Sequence, residues 1–168
     1  MVQVVKEATG SKGARVTTNI TLPGRYLVLM PTVSYVGVSR RIHQEQERAR
    51  LKEIIESIRD PNKGYIVRTA AQNQSIETFQ NEMQILEQRW QQIQTSFKQY
   101  KAPYLLHRES SLIMTTLRDL FNDETGAFII NDRFTYEQVR DTVAMTSPEK
   151  AKKVQYFDKG CDIFSYYQ

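Results

Sequence analysis

Leu22-Pro23-Gly24-Arg25-Tyr26-Leu27-Val28-Leu29-Met30-Pro31 is the stretch on which the fold turns. Pro23-Gly24 supplies a turn, and Tyr26 to Met30 reads as a buried strand whose pairing ends at Pro31. Upstream, Ala14 to Leu22 alternates. Val16, Thr18, Ile20 and Leu22 fall on one side, and Arg15, Thr17, Asn19 and Thr21 on the other, as in a half-buried strand. The two runs flanking the turn predict a β-hairpin.

Working outward, residues 32–44 read as a loop, and Glu47 to Ile58 carries Leu51, Ile54, Ile55 and Ile58 at helical spacing. Asp60-Pro61-Asn62 stops that helix, and Gly64 to Arg68 is a short apolar strand. Ser75 to Tyr100 is the clearest element, with Phe79, Met83, Leu86, Trp90, Ile93 and Phe97 at alternating steps of four and three behind a Ser75 N-cap. Its roughly 39 Å length predicts that it projects or packs along another subunit. Ala102-Pro103 breaks it, and Tyr104 to His107 reads as a short strand. Ser110 then caps a helix with Ile113, Leu117, Leu120 and Phe121 inward. A strand (Phe128 to Ile130), a helix (Thr135 to Ala144), a Ser147-Pro148 helix start and a strand (Val154 to Phe157) follow, a βαβ-like alternation unlike the hairpin-rich front. The fold class is α+β.

The 168 residues are 40% hydrophobic and 25% charged, which is ordinary for a globular core and excludes wholesale disorder, a collagenous repeat or a disulfide scaffold. The single Cys161 has no internal partner for a bridge. Of the 23 Lys and Arg, six fall in residues 1–41 (Lys6, Lys12, Arg15, Arg25, Arg40, Arg41) with one acid, Glu7. The remainder holds 17 basic against 18 acidic residues, so the positive excess sits in the first quarter and suggests a phosphate-bearing partner. No run approaches the roughly 20 apolar residues of a membrane span, and a cytosolic protein is expected. The strand-like start and the closing Ile163-Phe164-Ser165-Tyr166-Tyr167-Gln168, without a polar tail, read as cuts through a longer chain.

Catalytic chemistry is sparse. His43 and His107 lie far apart, one Cys leaves no zinc motif, and no phosphate-cradling glycine loop is present. Asp119, Asp123, Glu124 and Asp132 suit a solvated surface better than a two-metal cluster. This stretch alone is expected to catalyse nothing. What remains is Lys6, Lys12, Gly24, Arg25, Arg40, Arg41 and Arg68-Thr69, a set of phosphate-compatible residues on short strands and turns. Guanidinium forks, a threonine hydroxyl and exposed turn amides suit a terminal phosphate. On charge alone a solvated basic face is the better reading, and Arg40 and Arg41, adjacent on an extended chain, would point opposite ways.

Lys12 to Ile20, Leu22 to Pro31, Gly37-Val38-Ser39-Arg40-Arg41-Ile42 and Ile66-Val67-Arg68-Thr69-Ala70, in this order, closely resemble the ribonuclease E/G family. Trp90, Ala102-Pro103, Leu105-Leu106-His107, Arg118-Asp119 and the closing Phe164 to Gln168 fit it too.

The resemblance implies an internal fragment of a bacterial, cytoplasmic endoribonuclease that cleaves single-stranded RNA, prefers a 5′ monophosphate and serves RNA processing and decay. Residues 1–18 would be the tail of an S1 (OB-type) RNA-binding domain. Residues 19–113 would be a mixed-sheet 5′-sensor domain with a long helix, and 114–168 part of an RNase H-like α/β domain. Arg68 and Thr69 match the 5′-phosphate pair, Gly24 and Val28 line the same pocket, and Arg40 lies near the terminal nucleotide. Lys12 matches a further RNA contact; Arg41 and Lys6 are added from their charge, with an ion-pairing role for Arg41 and a plain surface role for Lys6 and Lys12 as the alternatives. No cofactor is expected in this stretch; the parent would use magnesium for catalysis and zinc between subunits of a homo-oligomer. Ala70-Ala71 departs from the family's commoner Ala-Gly, and Val33-Ser34-Tyr35-Val36 is unconventional for the loop before Gly37. The rival from another class is an assembly module that binds RNA backbone without reading its end.

Overall fold

The computed structural model of the chain describes residues 1–108, 111–122 and 124–167, the side chains of 145 and 146 excepted. Two compact units divide between Arg108 and Glu109, ahead of the first helix of the second unit.

The first unit begins with an antiparallel ribbon of β1 (Gln3–Lys6) and β2 (Arg15–Thr17). Its valines are exposed, Val4, Val5 and Val16 each by more than half. The Gln3 side chain ties the ribbon to the next segment, donating to the Thr21 carbonyl at 3.0 Å and accepting from the Thr21 amide at 2.9 Å. The alternation from Ala14 to Leu22 is therefore not one strand. It breaks after Thr17, and only Ile20 and Leu22 reach the core.

The predicted hairpin turn is real but tighter than its flanks suggested. β3 (Leu22–Pro23) pairs antiparallel with β4 (Leu27–Met30), with Leu22 opposite Leu29 and Pro23 opposite Val28. β4 pairs antiparallel with β6 (Gly64–Val67), which pairs parallel with β5 (Val36–Val38), giving the mixed order β3-β4-β6-β5. A parallel pair needs a crossover, and α1 (Glu45–Ile58) provides it. Leu27, Leu29, Tyr65 and Val67 are fully buried, while Val28 and Ile66, paired on the opposite face, are half-exposed. Helix α1 packs on β5 and β6, α2 (Ile76–Gln99) on β3 and β4, and the helices touch each other.

Ser75 caps α2 as predicted, its hydroxyl accepting from the Thr78 amide. Phe79, Met83, Leu86, Trp90 and Ile93 are buried, but Phe97 is exposed. The stripe is thus core up to Ile93. Tyr65 donates to Glu87 Oε1 and Lys63 to Glu87 Oε2, both at 2.7 Å, which bolts β6 to α2. Burial pushes the Tyr65 phenol well above its ordinary range, and the Glu87 carboxylate adds to the shift. Beyond α2, Tyr100 and Tyr104 stack at 4.0 Å around a cis Ala102-Pro103 bond, and residues 104–107 form no strand.

The second unit holds α3 (Leu112–Leu120), β7 (Phe128–Ile130), α4 (Arg133–Thr146), α5 (Pro148–Ala151), β8 (Val154–Tyr156) and α6 (Ile163–Tyr166). β7 and β8 are parallel with α4 and α5 between them, the expected βαβ alternation. Leu117, Phe121, Ile130, Val139, Val143 and Val154 form its core. Leu120, predicted inward, is 68% exposed. Ser111 caps α3; Ser110, read from sequence as that cap, lies outside the described residues, as do Asp123 and Gln168. Asp132 is the N-cap of α4. Among the described residues no helix is long and apolar enough to cross a membrane.

Candidate nucleic-acid interface

Strand β6 runs directly into Arg68 and Thr69, and Arg68 meets the β3–β4 loop. The Arg68 amide donates to the Tyr26 carbonyl at 2.7 Å, and its Nη1 donates to the Gly24 carbonyl. Arg68 is thus held by the hairpin through both backbone and side chain. The chain then tightens into a 3₁₀ turn (Thr69–Ala71) whose Ala71 is buried. Thr69 is exposed, and its hydroxyl lies 3.2 Å from that of Ser39, whose amide donates to the Val67 carbonyl. The guanidinium is thus held at the hairpin loop, while the hydroxyl pair ties the chain after β6 to the chain after β5.

The turn amides are engaged differently from the sequence expectation. The Gly24 amide donates to the Leu27 carbonyl at 2.7 Å. Those of Arg25, Tyr26 and Leu27 all donate to the Glu82 carboxylate of α2, at 2.6, 2.9 and 2.7 Å. Burial raises the Glu82 carboxyl above its ordinary value, opposed by these three N–H groups and by the charge of Arg68. A Cβ on Gly24 would lie 2.7 Å from the Glu82 carboxyl carbon, which explains glycine there. Val28, on β4 opposite Ile66, is half-buried. Arg25 lies over the Tyr26 ring at 5.5 Å.

Arg40 and Arg41 are exposed at the corner of a turn closed by the Ile42 amide on the Ser39 carbonyl at 3.2 Å, not on the extended chain anticipated. Ile42 plugs the core, and Arg48 of α1 donates to the carbonyls of Ser39, Ile42 and Val38. The same helix steadies the segment after Thr69: Glu47 accepts from the Asn73 amide and pairs with Arg50 at 2.7 Å. Lys6 and Lys12 lie on the β1–β2 ribbon instead, Lys12 paired with Thr9 across its loop.

The Arg50 bond, helped by the Asn73 amide, lowers the Glu47 carboxyl from 4.5 to about 2. A carboxyl depressed in the folded state stabilises above its unfolded pKa and loses that contribution as pH falls through the folded one. Thermal melts should therefore show wild type more stable than Glu47→Gln above about pH 4.5, with the advantage vanishing as pH approaches 2.

Sequence reading missed Glu82, Ser39's hydroxyl contact and Arg48. Glu82 is three residues after Phe79 and four before Leu86, and Arg48 is three before Leu51, so both fall inside apolar stripes. A charged residue inside such a stripe is the signal that would have found them.

A mixed sheet whose strand β6 runs into Arg68, bound to the buttressed hairpin loop, and Thr69, bound to Ser39, defines an α+β domain. The chain belongs to the ribonuclease E/G family, whose sequence model matches residues 21–168. It is 38% identical over 167 residues to Ribonuclease G of Salmonella typhimurium (strain SL1344) and equally to that of Escherichia coli (strain K12), covering 99% of this chain and 34% of each relative. It is 39% identical over 140 residues to Ribonuclease E of a Nostoc species, covering 83% of this chain and 20% of that protein. The chain thus spans about a third of the ribonuclease G relatives it matches.

Proposed function

We propose that this chain is the RNA-binding central region of a bacterial, cytoplasmic endoribonuclease, and that Arg68 and Thr69 receive the 5′ monophosphate of single-stranded RNA. The observation that carries the reading is the Arg68 guanidinium anchored on the Gly24 carbonyl, followed in the chain by Thr69 with its hydroxyl on that of Ser39, in a chain of this family. A terminal monophosphate offers up to two charges and three free oxygens, whereas an internal phosphate offers one charge. A fixed guanidinium plus a hydroxyl rewards the first. Val28 and Gly24 shape the floor, and Arg40 meets the terminal nucleotide. Lys12, Arg41 and Lys6 are auxiliary contacts.

In this reading residues 1–18 close an S1-type domain, 19–113 form the 5′ sensor and 114–168 are part of an RNase H-like domain. Holding the RNA end raises the effective concentration of downstream sites at a catalytic domain elsewhere in a homo-oligomeric parent. No group of three His, Cys, Asp or Glu among the described residues is placed to hold a metal ion. No step of the reading passes through a metal ion.

Calorimetric titration at fixed ionic strength tests it. The chain should bind a 5′-phosphoryl oligonucleotide more tightly than its 5′-hydroxyl counterpart, and Thr69→Val should cut that preference by roughly fivefold, about one hydrogen bond. Equal affinities for both ends, with a steep loss in salt, identify a plain backbone binder and overturn the reading.

A further inference from the structure

We propose that Glu82 is the positioning residue of the 5′-phosphate pocket: its carboxylate fills the bowl of N–H groups inside the β3–β4 loop and so sets where Gly24 holds Arg68. The inference deepens the proposed function and rests on it. Consecutive backbone N–H groups curled into a concavity bind anions. Here the anion belongs to the protein, since the amides of Arg25, Tyr26 and Leu27 all point at Glu82. RNA phosphate is thereby kept out of the loop's interior and must be met by Arg68 and Thr69. The same loop passes Glu82's grip onward. Its Gly24 carbonyl takes Arg68 Nη1 and its Tyr26 carbonyl takes the Arg68 amide. Glycine at position 24 lets the carboxylate lie directly beneath the chain, where a Cβ would collide with it. Arg68's charge is also near enough to act on the Glu82 carboxyl, so the two groups are electrostatically linked as well as mechanically.

The test is a double-mutant cycle on the 168-residue chain, read by fluorescence anisotropy with 5′-phosphoryl and 5′-hydroxyl forms of one oligonucleotide, folding being checked by circular dichroism. Glu82→Gln keeps the size of the side chain but loses the charge and one acceptor. It should leave 5′-hydroxyl affinity within about twofold and lower the 5′-phosphate preference by about fivefold to tenfold. In an Arg68→Ala background it should change the preference no further, which a general loosening of the fold would not reproduce. If Glu82→Gln does not fold, Glu82→Asp, which keeps the charge but withdraws it by one methylene, should show the same loss. A folded Glu82 variant with wild-type preference, or effects of Glu82 and Arg68 that simply multiply, overturns the inference while the sensor reading stands. A wild-type chain without preference overturns both.

Discussion

Arg68→Ala should erase the distinction between 5′-phosphoryl and 5′-hydroxyl RNA. Its guanidinium is the cationic group anchored at the mouth of the hairpin loop, and hydrogen bonds to charged groups are worth about 1.5–3 kcal/mol, so affinity for the phosphorylated end should fall roughly 10- to 100-fold. Affinity for the hydroxyl end should barely move, because the exposed Arg40 and Arg41 and the ribbon lysines, proposed as the other RNA contacts, are left in place. The half-buried arginine also satisfies the Gly24 carbonyl, so removing it should cost about 1 kcal/mol of stability. Arg68→Lys should recover charge without the planar fork and restore only part of the preference. Anisotropy titrations with both oligonucleotides, beside a urea melt, check all these outcomes.

The largest effect on stability is expected at Gly64, the first residue of β6. A Cβ there would lie 2.3 Å from the Val33 carbonyl oxygen and 2.7 Å from that of Tyr35. Neither is a flexible side chain that can swing away. The Tyr35 carbonyl accepts the Tyr65 amide at 2.8 Å, so moving it tears the start of the β5–β6 pairing. Gly64→Ala should destabilise the first unit by about 3 kcal/mol or more, seen as a lower urea midpoint with an unchanged slope. Since β6 leads directly into Arg68 and Thr69, the variant should also weaken 5′-phosphate binding under conditions where part of the population is unfolded.

These two positions mark what the sequence could and could not reveal. Arg68-Thr69 stood out as a motif at the end of an apolar run, and the Pro23-Gly24 turn facing it was legible from turn chemistry alone. Helix α2 was legible too, because six apolar residues at steps of four and three leave little choice of period. The strand from Ala14 to Leu22 was overread. Alternation continues through Thr18 and Asn19, yet Val16 belongs to an exposed ribbon and Leu22 to a core, and period two carries no mark of where one sheet stops and another begins.

Glu82 and Gly64 escaped for a different reason: the function of each is defined by a partner distant in sequence. Glu82 meets amides 55 to 57 residues away, and Gly64 meets carbonyls about 30 residues away. Local propensity says nothing of such partners. Arg40 and Arg41 show the same limit, since the turn that exposes both is held by Arg48 from the following helix.

The proposed function requires that Arg68 and Thr69 hold a terminal phosphate and not an internal one. Phosphorus NMR of a 5′-phosphorylated oligonucleotide titrated with the chain tests it most directly, because the terminal monoester resonates apart from the diesters. A saturable shift of the terminal signal is expected with wild type, absent with Arg68→Ala and weakened with Glu82→Gln. A terminal signal that stays put while the diester signals broaden would contradict it.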